Sequence, residues 1–187
     1  MKGCSLGLML LVVISLLSAP PVLAREVKIH DIVVTNSSTD LLLFLKVVDA
    51  FSPEIVEGVK NGLAATFNFE IRLSLVREGW PDKEIAHRSV DHTLRFDTLK
   101  NHYQLALTEN GSEEVTLDHL DKALAKMAEL NGMKLLSLNE LSPDRQYLLK
   151  VRATLVKKDL PDYVHYLIPF SNFWDVHTDW YTVRFRY

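Results

Sequence analysis

The segment Ala65-Thr66-Phe67-Asn68-Phe69-Glu70-Ile71-Arg72-Leu73-Ser74-Leu75 puts an apolar residue at every odd position and a polar one between each pair. Successive side chains point to opposite faces of a strand, so this period of two predicts a strand with one buried and one wetted face. A helix would spread the same residues around its circumference and bury none of them cleanly. The odd-numbered apolar phase recurs in Tyr103, Leu105 and Leu107, in Tyr147, Leu149, Val151, Ala153 and Leu155, and in Tyr181, Val183, Phe185 and Tyr187. Further strands are expected near residues 26–35, 40–49, 84–96 and 133–138, with a short one near 163–168.

Two segments carry helical signals instead. Ser52-Pro53-Glu54 supplies a cap, a proline at the first helical position and an early acid, and Asn61-Gly62 ends the run. Thr116 to Asn131 places Leu117, Leu120, Leu124, Met127 and Leu130 at helical spacing, with Gly132 as the stop. Strands joined by short turns such as Asp97 to Asn101 and Glu109 to Ser112 predict a mainly β fold: an antiparallel sandwich with two packed helices. The run Leu141 to Ala153, with Ser142-Pro143-Asp144 before Tyr147, resembles the tyrosine corner of fibronectin type III and other immunoglobulin-like sandwiches, where the hydroxyl closes the turn. The expectation is therefore an immunoglobulin-like β-sandwich.

The N-terminus reads as a secretory signal peptide: Met1-Lys2, the apolar run Leu6 to Leu17, and Val22-Leu23-Ala24 before a cleavage point at Arg25. As a helix that run rises only about 18 Å against a hydrocarbon core of roughly 30 Å, too short for an anchor. The domains expected are thus 1–24, a signal peptide, and 25–187, one sandwich, with membrane contact only through the leader before cleavage. Removing 24 residues from 187 leaves 163, enough for a core without disulfides. Cys4 is the only cysteine, so the mature chain has no thiol for nucleophilic, redox or metal chemistry. The formal charge of −3 becomes −4 when Lys2 leaves, which argues against a nucleic-acid partner.

Leu160-Pro161, the element Trp174-Asp175-Val176-His177-Thr178-Asp179-Trp180 and the closing stretch Tyr181 to Tyr187 resemble a family of exported bacterial proteins described as domain of unknown function 4390. The upstream order agrees, through Asn61-Gly62, Phe67 to Leu75, Asn101-His102-Tyr103-Gln104-Leu105, the Leu117 helix and Tyr147 to Arg152. The resemblance spans nearly all of residues 25–187. It implies a periplasmic or secreted protein of the Gram-negative envelope, sometimes encoded near membrane sensor kinases, and carries over no activity or site.

Three function classes follow from the residues. The first is a non-enzymatic binding module. Lys150, Arg152, Arg184 and Arg186 occupy even positions opposite the core, and if their strands pair they make a basic patch; the segment bounded by Trp174 and Trp180 is a further candidate contact surface. Its partner would be an envelope protein such as a membrane sensor kinase, or an anionic envelope component. The plainer reading is a solvated sheet face with Glu70 and Asp91 nearby, where such charges also keep exposed edges from aggregating. The second class is a metal-dependent enzyme: Asp175, His177 and Asp179 alternate, so an extended chain would project two carboxylates and an imidazole to one side. Against that, the flanking tryptophans can be the packing residues, with the polar ones facing water. The third is a small outer-membrane barrel, suggested by the alternating aromatic C-terminus and opposed by the two helices. No nucleophile elbow, phosphate-binding loop, dinucleotide fingerprint or zincin motif occurs, so no catalytic residue and no cofactor is assigned. Glu113-Glu114 and Asp82 with Glu84 are expected in turns that exclude no water. Arg88 and His92 fall on an otherwise apolar strand face and need either partners or a bulge that turns them out.

Overall fold

The computed structural model describes residues 27–157 and 176–187. The strands are β1 (Lys28–Asn36), β2 (Asp40–Val48), β3 (Ala65–Leu75), β4 (Lys83–Asp97), β5 (His102–Leu107), β6 (Glu113–Leu117), β7 (Glu129–Ser137), β8 (Gln146–Lys157), β9 (Val176–His177) and β10 (Tyr181–Arg186). The helices are α1 (Pro53–Lys60) and α2 (Leu120–Met127). One sheet has the order β1-β2-β7 and the other β10-β8-β3-β4-β5-β6, with β9 also against β8; every pairing is antiparallel. Among the described residues no helix is long and apolar enough to cross a membrane.

The period-two reading of β3 holds. Ala65, Phe67, Phe69, Ile71 and Leu73 are buried, and they join Leu149, Val151 and Ala153 of β8 with Leu41, Leu43, Leu45, Leu130 and Leu135 of the smaller sheet in one core. Thr66 is buried on the other phase, its hydroxyl satisfied by Thr93 at 3.0 Å. The helices close the core with Ile55 and Val59 from α1 and Ala123 and Met127 from α2. Helix α1 begins as its sequence predicts, with the Ser52 hydroxyl accepting the Ile55 N–H and Pro53 in the first turn.

Three expectations need correction. The helix over residues 116–131 is only α2: Leu117 ends β6, and Leu130 belongs to β7, opposite Leu45. Residues at helical spacing also satisfy part of a strand pattern, and pairing with β2 claims them. Gly132 is therefore no helix stop. It sits inside β7 at φ +75°, where the register with β2 shifts, and a β-carbon there would press on the Phe44 ring at 3.4 Å. Second, the barrel reading fails, because among the described residues the larger sheet runs open from β10 to β6 and does not close on itself. The C-terminal alternation instead turns Val183 and Phe185 to the core, with Phe185 stacked on Tyr147 at 5.7 Å between ring centroids. Third, Glu113 and Glu114 are exposed on β6, and Glu84 on β4, instead of in turns. The Tyr147 corner does form: its hydroxyl accepts the Ser142 N–H at 2.8 Å and donates to the Ser142 carbonyl at 3.4 Å.

Candidate binding face

Because the odd residues of β8 are buried, its even residues reach the opposite face, and the neighbouring registers decide what they meet. Thr182 stands opposite Lys150, Arg184 opposite Leu148 and Arg186 opposite Gln146. Directly opposed residues share a face, so the pairing on which the basic patch depended exists, and Lys150, Arg152, Arg184 and Arg186 lie on one side. On the other flank β3 sets Glu70 opposite Arg152 and Arg72 opposite Lys150.

Glu70 is the hub. One carboxylate oxygen accepts Arg72 Nε at 3.0 Å and Arg72 Nη2 at 2.5 Å, while the other accepts Arg152 Nη2 at 2.8 Å. His87 Nε2 lies 3.5 Å away. Hydrogen bonding by Arg72, reinforced by Arg152, holds the Glu70 carboxyl below its ordinary range, and Glu70 in turn raises Arg72. Over both guanidinium groups lies Trp180, with its ring centroid 5.2 Å from the Arg72 carbon and 4.8 Å from that of Arg152. Such cation–π contacts contribute about 0.5–1 kcal/mol each at exposed sites. Arg152 Nε is buried with no hydrogen-bond partner among the described residues.

The approach of the chain to Trp180 explains its position. His177 pairs with Thr154 in β9, but two strands' turn later Thr182 pairs with Lys150, a slip of one residue between β9 and β10. A one-residue slip moves side chains to the other face. Val176 and Thr178 accordingly point inward, whereas Trp180, also even-numbered, lies over the outer arginines. Thr178 pins the segment before the slip: its N–H reaches the Ala153 carbonyl at 2.9 Å and its hydroxyl accepts the Ala153 N–H at 3.1 Å.

A cleft of about 480 Å³ opens beside this hub, lined by Arg72, Lys150, Arg152, Trp180 and Thr182, with Asp82 and Glu84 on its far wall. A second, of about 590 Å³, follows at the Gln146 end of β8 between Arg145, Arg186 and the β3–β4 loop. There Trp80 is 74% exposed, against 37% for Trp180. Lys150, Arg184 and Arg186 form no ion pair among the described residues, unlike Arg72 and Arg152.

Trp174 and Asp175 lie outside the described residues, as does the strand expected near 163–168. His177 and Asp179 are both exposed, and no group of three or more His, Asp or Glu side chains is placed to hold a metal ion among the described residues. Arg88 is exposed, and His92 is wholly buried and satisfied. Its Nδ1 lies 3.0 Å from the Met127 carbonyl at the end of α2, and its Nε2 meets the Glu109 carboxylate. Sequence reasoning missed Arg72 as a member of the face and Trp80 altogether. Arg72 was legible as an even-phase residue of β3, but only the β3–β8 register brings it to Lys150. Trp80 stands in Glu78-Gly79-Trp80-Pro81, where a tryptophan between turn residues has little core to enter.

Comparison with curated proteins finds no match, and neither does comparison with solved structures. The family model described as Domain of unknown function (DUF4390) matches residues 24–184, and this chain belongs to that family.

Proposed function

We propose that this chain is an exported, non-enzymatic binding module of the Gram-negative envelope that engages an anionic partner through the β3–β8–β10 face. The observation that carries the reading is the contrast on that face: Arg72 and Arg152 share the Glu70 carboxylate and are roofed by Trp180, while Lys150, Arg184 and Arg186 beside them form no ion pair among the described residues. The ion-paired arginines hold the tryptophan, and the cations beside them supply attraction and orientation to an incoming anion. The partner class is an acidic surface of an envelope protein, such as a membrane sensor kinase, or an anionic envelope component. We read the two sheets as an immunoglobulin-like sandwich, a choice supported by the Tyr147 hydroxyl closing its turn. The leader through Ala24 supports export and residence in the periplasm or beyond.

A photo-crosslinking residue at Thr182, compared with one at Glu113 on the opposite sheet edge, tests this in intact cells. Adducts are expected at position 182 alone, lost when Lys150→Glu and Arg184→Glu are combined. Equal labelling at both positions would remove the face from consideration. Protein sequencing of the cell-envelope form should begin at Arg25, and an intact leader would refute export by cleavage.

A further inference from the structure

Strand β10 ends the larger sheet, and its outer edge has no partner among the described residues. The register shows which backbone groups that edge offers. The Tyr187 N–H donates to the Arg145 carbonyl at 3.2 Å, continuing the pairing in which Phe185 faces Tyr147 and Val183 faces Leu149. In an antiparallel ladder hydrogen-bonded pairs alternate with non-bonded ones, so the odd residues of β10 bond to β8. Thr182, Arg184 and Arg186 therefore direct their N–H and C=O groups outward, and the same residues carry their side chains on the cationic face.

We infer that β10 accepts an added antiparallel strand from a partner protein, an extended segment that alternates acidic and apolar residues. Its backbone would pair with Thr182, Arg184 and Arg186. Acidic side chains two residues apart would stand directly opposite Arg184 and Arg186, at the 4.5–5.5 Å of cross-strand neighbours. The apolar residues between them would extend the side of the sheet where Val183 and Phe185 already pack on the core. Main-chain bonds supply affinity in this mode, and alternate side chains supply specificity.

The chain's own residues 158–175 lack the alternation asked of the occupant: their carboxylates are Asp159, Asp162 and Asp175, no two of them at alternate positions.

The inference rests on the anionic-partner reading above and refines it. The test uses the mature chain, residues 25–187, with a short peptide alternating Glu and Val, a peptide of the same composition with Glu and Val in blocks, and phosphatidylglycerol vesicles. The alternating peptide should bind about tenfold more tightly than the block peptide, and hydrogen exchange at the amides of Thr182, Arg184 and Arg186 should slow on binding. Arg184→Glu should weaken that binding about tenfold, since it exchanges an attractive cross-strand pair for a repulsive one. Thr182→Pro removes an outward N–H while leaving the bonds to β8, a position where edge strands tolerate proline. It should abolish the preference for the alternating peptide with the thermal midpoint nearly unchanged. If both peptides bind equally and Thr182→Pro has no effect, strand addition is overturned while the anionic face stands. Binding to vesicles alone likewise overturns strand addition in favour of a lipid surface. If no anionic probe binds, both readings fall.

Discussion

The larger sheet carries a charged cluster on each of its faces, and the two do different work. On the inner face His92 is 0% exposed, lies edge-on to Phe69 at 5.1 Å, and ties the end of α2 to Glu109. A carbonyl can only accept, so Nδ1 donates to Met127, which leaves Nε2 to meet the Glu109 carboxylate. Every polar atom of the ring is matched. On the outer face Glu70 gathers Arg72 and Arg152 under Trp180, yet Lys150, Arg184 and Arg186 around it form no ion pair among the described residues. Burial, and not the number of charges, separates a cluster that specifies the fold from one that offers a surface. An unmatched group inside is destabilising, whereas outside water satisfies it.

The largest effect that would sharpen this contrast is expected inside. His92→Ala should lower the unfolding free energy by about 3 kcal/mol, because it opens a cavity beside Phe69 and orphans the Met127 carbonyl and the Glu109 carboxylate together. Urea denaturation measures this, and a loss under about 1 kcal/mol would show that the inner cluster is not structural.

Glu70→Gln should be milder, about 1 kcal/mol, because water replaces part of what the arginines lose. Its pH dependence is diagnostic. The Glu70 carboxyl is depressed in the folded protein by Arg72 and then Arg152, so its contribution is complete above the ordinary value of 4.5 and disappears as pH falls through the lower folded-state value. The stability gap between the native chain and Glu70→Gln should be constant near neutrality and close below pH 4.5. A gap that persists at low pH would assign the effect to packing instead of charge.

Smallest of all, Lys150→Ala and Arg184→Ala should change stability by less than about 0.5 kcal/mol, as expected of exposed residues outside any network. A larger loss in thermal or chemical unfolding would break the comparison, since the open cations would then be part of the fold.

Much of the frame was legible from local pattern. Phe67 to Leu73 and Tyr147 to Leu155 announced half-buried strands, Ser52-Pro53 announced α1, and Tyr147 announced its corner. The reading failed where two periodicities overlap. Leu117 and Leu130 fit a helix as well as the strands β6 and β7, and the positive φ that suits Gly132 to a helix stop serves a bulge equally. Half of the candidate face was visible as even-numbered cations on two strands. Trp180 was legible as a contact residue and Glu70 as a neighbour, but Arg72 was not, and the hub they form depends on the β3–β8 register and on the slip between β9 and β10.

The order of side chains along each strand, and hence which residues can share a face, was set by the sequence, since a strand's period of two is a property of the local backbone. Which strands lie side by side, which arginines meet one carboxylate and which strand ends the sheet among the described residues were decided only in the tertiary structure. Those choices depend on hydrogen-bond pairing between segments as distant as Glu70 and Arg152, and no local pattern encodes that register.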